Sequence, residues 1–186
     1  MGSFAQLQIS TERLLLRPLD ESDAPAVFAL NTDPKVMRYM SKPPWTSMDE
    51  AYALIAKHTA AMAADEYLHL GIERKSDGRL IGMCTLFRFS EQCRRAEIGY
   101  GLISPAWGCG YMHEALTALL NYGFSELFLN RVEADIDPRN EASAKSLLRL
   151  GFRKEGHLRE RWIVGGEVSD SDLYGLLLSD WQSAGE

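Results

Sequence analysis

The stretch from Glu97 to Leu120, EIGYGLIS followed by PAWGCGYMHEALTALL, constrains the fold of this chain more than any other. Ile98, Tyr100 and Leu102 alternate with Glu97, Gly99 and Gly101, the period of a half-buried strand. Two glycines on one face leave room for a ligand or another backbone to come close. Pro105 ends the strand, and Gly108 and Gly110 form a turn that can set backbone N–H groups side by side. A helix follows, with Met112, Leu116, Leu119, Leu120, Gly123 and Leu127 on one stripe. The unpaired N–H groups and positive dipole end at its start suit a phosphate or pyrophosphate. The phosphate chemistry is not that of a P-loop, because no Gly-Lys-Ser/Thr string occurs. A dinucleotide fingerprint fails too, because His113 stands where a third glycine or alanine belongs.

The remaining chain supplies strands and helices around this unit. Residues 7–17 read as a first strand. Asp20 caps a helix over 21–31, Asp33-Pro34 opens a short helical piece, and Ser47 with Glu50 forms a capping box for a helix over 48–64. Between them, SKPPWT makes a stiff loop in which Trp45 either packs or walls a pocket. Leu68–Arg74 and Leu80–Phe89 read as strands joined by a turn at Ser76-Asp77-Gly78, and Glu91–Arg95 turns into the central strand. Past the long helix come a strand over Arg131–Asp137, a helix capped by Asn140 and ended by Gly151, and strands over Phe152–Trp162 and Ser171–Leu178 around a Gly165-Gly166 turn. Residues 182–186 are expected to fray. No repeat or linker interrupts the 186 residues, so one domain over 1–186 is expected, of the α+β (mixed α/β) class.

Composition narrows the function. The formal charge of −6, with no basic stripe, argues against nucleic acid and mildly favours cationic substrates such as amines. No apolar run reaches membrane-spanning length, and no signal segment opens the chain. Cys84, Cys93 and Cys109 are an odd, scattered set that gives neither a disulfide framework nor a metal site; a reduced cytoplasmic protein is expected.

The order of elements, with these residues, resembles the GNAT superfamily of acyl-CoA N-acyltransferases over nearly the whole chain. Trp107-Gly108-Cys109-Gly110-Tyr111-Met112 matches the superfamily's signature at Gly110, with Trp107 in place of its Gln/Arg and Met112 in place of its small residue. Three further stretches are similar to the Rim-type ribosomal-protein N-terminal acetyltransferases: Thr11-Glu12-Arg13-Leu14 with Leu16-Arg17-Pro18, Asn140-Glu141-Ala142-Ser143 with Leu150-Gly151-Phe152, and Asp172 through Trp181. The resemblance implies a twisted, mostly antiparallel sheet of about seven strands and about four helices, with the central pair splayed apart. It implies acetyl-CoA as cosubstrate, its pantetheine arm in the splay and its pyrophosphate on the amides of Gly108 to Met112. Leu102, Ile103, Asn140 and Ser143 are the remaining expected donor contacts.

Transfer to an amine needs a neutral nucleophile, a donor for the carbonyl oxygen and a proton or donor for the leaving thiolate. Glu97 is the candidate base, pointing at the cleft beside Gly99 and Gly101; its plainer role is an ion pair, with Arg95. An α-amine, of reference pKa near ~8, can also attack without one. A backbone N–H from Gly101–Ile103 suits the oxygen. The tyrosine many GNAT enzymes use as acid falls at Leu147, and Ser143, one turn earlier, is the substitute; helix capping is its alternative role. His113 stands near the expected phosphate or in solvent. Cys109 lies in the positive turn without a paired base. Trp162, Tyr174 and Asp172 line the acceptor side or pack in the core. The expected acceptor is a protein N-terminal amine; a small-molecule amine, or an acetyl-CoA-binding module without catalysis, are the competing readings. An exposed C-terminal edge strand could pair two copies in a homodimer.

Overall fold

Alternating apolar residues along the strands assemble into an open sheet in the computed structural model, which describes residues 4–183. The strands are β1 (Ile9–Ser10), β2 (Leu14–Arg17), β3 (Leu68–Arg74), β4 (Arg79–Ser90), β5 (Arg95–Leu102), β6 (Arg131–Ile136), β7 (Arg153–Val164) and β8 (Glu167–Leu177). Their spatial order is β1-β2-β3-β4-β5-β6-β8-β7, antiparallel throughout except between β5 and β6. The helices are α1 (Ala24–Thr32), α2 (Pro34–Met37), α3 (Asp49–Ala63), α4 (Tyr111–Ser125), α5 (Glu141–Arg149) and α6 (Leu178–Ser183).

Three local features differ from the sequence expectation. The strand expected over 7–17 is a hairpin, because Thr11 closes a turn: its N–H donates to the Leu14 carbonyl (2.9 Å) and its hydroxyl accepts from the Leu14 N–H (3.0 Å). That turn makes eight strands of the expected seven or so. The last strand stops at Leu177, and α6 follows, held by Trp181, whose indole N–H donates to Asn121 (2.9 Å). So 182–183 are helical, and the rest of the expected fraying falls outside the described residues. Asp20 caps a single 3-10 turn, Glu21–Asp23, which leads into α1.

Alternation along the strands gives each sheet face its own core. Leu70, Cys84, Leu86, Ile98 and Val132 pack with Leu116, Leu119 and Leu120 of α4 and Leu147 of α5. Met83 packs on the other face with Val27 and Leu30 of α1 and Ile55 of α3. The parallel pair is short. Arg95, Ala96 and Glu97 pair with Arg131, Val132 and Glu133, and past that row β5 and β6 diverge. A bulge in β4, where Arg88 takes φ 52°, sits opposite this point and accentuates the local twist. The expected splay is therefore present, with its apex at Glu97 and Glu133.

Candidate active site

The loop from β5 to α4 is pinned at both ends. The Trp107 indole N–H donates to the Leu102 carbonyl (2.7 Å), which ties the loop to the strand end. Gly108 and Gly110 take φ of 75° and 79°, conformations that strain other residues. Among the described residues, the backbone N–H groups of Gly108, Cys109, Gly110, Tyr111 and Met112 meet no protein acceptor. They open the 15-residue α4, so loop amides and helix dipole favour an anion together. Met112 turns its bulk onto the core rather than into the loop.

Arg13 braces this loop from the β1–β2 turn. Its guanidinium donates to the Cys109 carbonyl (2.9 Å) and to Glu114 (2.6 Å), and lies 4.6 Å from the centre of the Tyr111 ring. Glu114 also accepts from the Arg13 N–H (2.8 Å) and the Thr11 hydroxyl (2.6 Å). In the sequence, Arg13 is visible only as part of a motif; its distance from Glu114 along the chain hides the brace.

Hydrogen-bond alternation decides which groups of β5 face the splay. The Ile103 N–H donates to the Ile81 carbonyl (2.9 Å), which places 103, 101, 99 and 97 in bonded pairs with β4. The N–H groups of Ile98, Tyr100 and Leu102 therefore point away from β4, toward β6. The Leu102 N–H is thus one of the inward groups, while the Ile103 N–H is already engaged by Ile81. Gly99 and Gly101 do not open the splay itself. A Cβ on Gly99 would lie 3.1 Å from Thr85 Cγ2, and one on Gly101 would lie 3.2 Å from Met40 Cε. Their clearing lies on the sheet face beneath α1 and the segment after α2.

Across the splay stands α5. Asn140 caps it, its side-chain oxygen accepting the Ser143 N–H (3.1 Å), while its side-chain NH2 meets no acceptor among the described residues. Ser143 is buried, with Oγ 2.7 Å from the Tyr100 hydroxyl. Burial pushes the Tyr100 hydroxyl up to about 12. Sequence alternation hid Tyr100, since it shares its stripe with core residues Ile98 and Leu102; the one polar atom in that stripe was the signal. Leu147 is fully buried and offers no acid.

Glu97 lies at the apex on the opposite face. Both its oxygens accept from Arg88 (3.0 and 2.9 Å). The expected partner, Arg95, pairs with Glu133 instead. Glu133 also takes Arg131 (2.8 Å), and Asp135 takes the Ser171 hydroxyl, the Trp162 indole (3.4 Å) and Arg161 (3.6 Å). Trp162 thus borders this face. Tyr174 is buried in the core beside α5, and Asp172 is paired with Lys154 (2.6 Å) and His157 (2.8 Å). His113 is exposed and lines a hollow of about 700 Å³ between β1 and the outer side of α4, away from the splay. The Cys109 thiol donates to the Trp107 carbonyl (3.6 Å). Among the described residues no cluster suits a metal ion.

The sequence profile of the acetyltransferase (GNAT) domain matches residues 13–153. The uncharacterized N-acetyltransferase YoaA of Bacillus subtilis is 35% identical over 169 residues, 91% of this chain and 96% of its own. Spermidine N-acetyltransferase from Vibrio cholerae, solved with CoA and spermine, superposes with a TM-score of 0.81 at 25% identity, covering 92% of this chain and 99% of the other. Mycobacterium smegmatis RimJ, solved with CoA-disulfide, has a TM-score of 0.86 at 23% identity over 100% and 98%, a likeness of fold.

Proposed function

This chain belongs to the GNAT acetyltransferase family, and from that premise we propose that it acetylates a protein N-terminal amine on the sheet face that carries Glu97. The reaction class itself is acetyl-CoA-dependent N-acetyl transfer. The free loop amides and the inward N–H groups of β5 fit a pyrophosphate with an extended polar arm behind it.

When bound, acetyl-CoA supplies an acetyl group activated as a thioester. In the proposed site the amides of Gly108 to Met112 hold the pyrophosphate. Asn140 and the inward edge of β5 hold the arm, with Ile103 contributing only its side chain and carbonyl. The Leu102 N–H meets the carbonyl oxygen as charge develops there. Glu97 takes the proton from the attacking amine, directly or through water, and Ser143 presents its hydroxyl to the departing sulfur. One carbon–nitrogen bond forms, one carbon–sulfur bond breaks, and the proton lost by nitrogen balances the one gained by sulfur.

Charge balance carries the choice of acceptor. Glu97, Glu133 and Asp135 each have an arginine partner on the acceptor face, so little negative charge is left over for a polycation. A single α-amine, partly neutral near its pKa of ~8, asks for less. The competing polyamine reading draws on the Vibrio cholerae neighbour with spermine and on the formal charge of −6. Thiol release should be assayed with peptides bearing free N-termini and with spermidine. Faster release with peptides is expected; faster release with spermidine would reassign the acceptor.

One sheet spanning residues 9–177 supports a single domain, and three free cysteines support a cytoplasmic setting. Among the described residues no helix is long and apolar enough to cross a membrane. We also propose pairing of two copies along β7, the outermost strand, where Ile163 is 73% exposed. Light scattering that finds only monomer would remove that assembly.

A further inference from the structure

Resting on the donor site proposed above, we propose that Tyr100 is a positioning residue for the leaving sulfur, its hydroxyl donating to Ser143 Oγ so that the serine's own proton turns toward the splay. Tyr100 stands on the helix-facing side of β5, while its backbone N–H faces the gap between β5 and β6. Ser143 belongs to α5, which follows β6. The 2.7 Å contact between the two oxygens therefore crosses the splay.

Either oxygen could donate, and the surroundings select the direction. Burial keeps the Tyr100 hydroxyl protonated through the neutral range, so it remains a donor. Tyr174, from β8, is the other titratable group that bears on it, and it too raises the Tyr100 value. Ser143 Oγ has no other hydrogen-bond partner among the described residues. Once it accepts from the phenol, its O–H must point elsewhere, and the splay lies beside it. Among the described residues no second hydroxyl is bonded to Ser143: Leu147 is buried and apolar, and Ser146 donates to the Ala142 carbonyl (3.0 Å).

As the amine nitrogen bonds to the acetyl carbon, the carbon–sulfur bond breaks with its electron pair on sulfur. The Ser143 O–H turns its hydrogen bond onto that sulfur and stabilises the thiolate, while Tyr100 keeps its proton and holds Ser143 Oγ. The proton that nitrogen releases through Glu97 passes to solvent, from which the thiolate draws its own, and the hydroxyl pair is unchanged throughout. Tyr100 acts only through Ser143.

Calorimetric titration with CoA and with desulfo-CoA, from about pH 7 to about pH 10, tests this across the ordinary thiol range. Wild-type protein should bind CoA more tightly as the thiol ionises, since the donor pair favours the thiolate; desulfo-CoA should show no such trend. Tyr100→Phe and Ser143→Ala should each lose the tightening, by about tenfold, while binding desulfo-CoA normally. Full tightening in Tyr100→Phe would overturn the proposal. If that variant unfolds, 3-fluorotyrosine at position 100 keeps the shape and makes the phenol more acidic; the bound-thiol titration must then move with it, and an unmoved titration is equally fatal. Wild type that binds neither ligand would overturn the donor site itself, a separate and earlier failure.

Discussion

At the loop proposed to hold the pyrophosphate, the groups offered to a ligand are main-chain N–H donors, set by two left-handed glycines, a tryptophan anchored on Leu102 and the Arg13–Glu114 brace. On the Glu97 face they are long side chains, paired arginine to carboxylate: Arg88 with Glu97, Arg95 and Arg131 with Glu133, Arg161 with Asp135. Backbone donors stay put when neighbouring side chains change. Partly exposed ion pairs contribute only about 0–1 kcal/mol each, so they can be exchanged at little cost to folding. On the proposed assignment, the contrast teaches how one scaffold can hold its donor site in backbone conformation and its acceptor face in replaceable side chains.

Glu97→Gln should give the largest effect that separates the two regions. Steady-state kinetics are expected to show kcat down by about 100-fold, with the acetyl-CoA Kd from calorimetry unchanged. An unchanged kcat would remove Glu97 as base and leave the donor region intact. Gly110→Val is the mirror experiment. A β-branched residue at φ 79° costs more than 1 kcal/mol, so acetyl-CoA binding should weaken by about tenfold while the amine KM holds. A shifted amine KM would break the separation.

Arg13→Ala should weaken acetyl-CoA by about threefold, a small effect because the guanidinium is 43% exposed and its ion pair is partly screened. Lysine there should not restore binding, since it lacks the fork that reaches Cys109 and Glu114 together. A separate effect, on stability and not on activity, belongs to two buried histidines, His58 of α3 and His69 of β3. His58 and His69 stack with ring centres 3.8 Å apart, and His69 Nε2 lies 3.3 Å from Met83 Sδ. Burial pushes His58 down to about 4 and His69 well below its ordinary value. The unfolded chain protonates near the ordinary value of 6.5 and the folded one does not, so their contribution is present above that pH and is lost as pH falls toward 4. Thermal unfolding between those limits should show Tm falling by roughly 10 °C, since the His58 shift corresponds to about 3 kcal/mol and each kcal/mol to about 2–4 °C. A His58→Phe variant should flatten the slope; an equal slope would take the histidines out of it.

Most of the architecture was legible because it follows from alternation and punctuation. Pro105, Gly108, Gly110 and the stripe through Leu116, Leu119 and Leu120 announce strand, turn and helix without knowledge of the rest. The short β1–β2 hairpin was not legible, since a Thr-Glu-Arg turn carries no glycine or proline. Within the candidate site, residues local to the motif were easy to find. Those defined by contacts across the chain were not. Arg88 meets Glu97 only because a bulge gives it a left-handed backbone, and nothing in Phe-Arg-Phe-Ser signals that. Tyr100 was hidden by its own regularity, and Arg13 by the hundred or so residues separating it from Glu114.

The divergence of β5 from β6 also bears on how long the protein lasts. Past Glu97 the inward N–H groups of β5 have no strand opposite them, an edge placed in the middle of a sheet. A ligand lying along that edge binds the folded chain and not the unfolded one, so it shifts the unfolding equilibrium by mass action. At a hundredfold excess over its Kd it adds about 2.7 kcal/mol. The persistence of the enzyme against proteolysis then follows the supply of its own acetyl donor, rising in plenty and declining in scarcity.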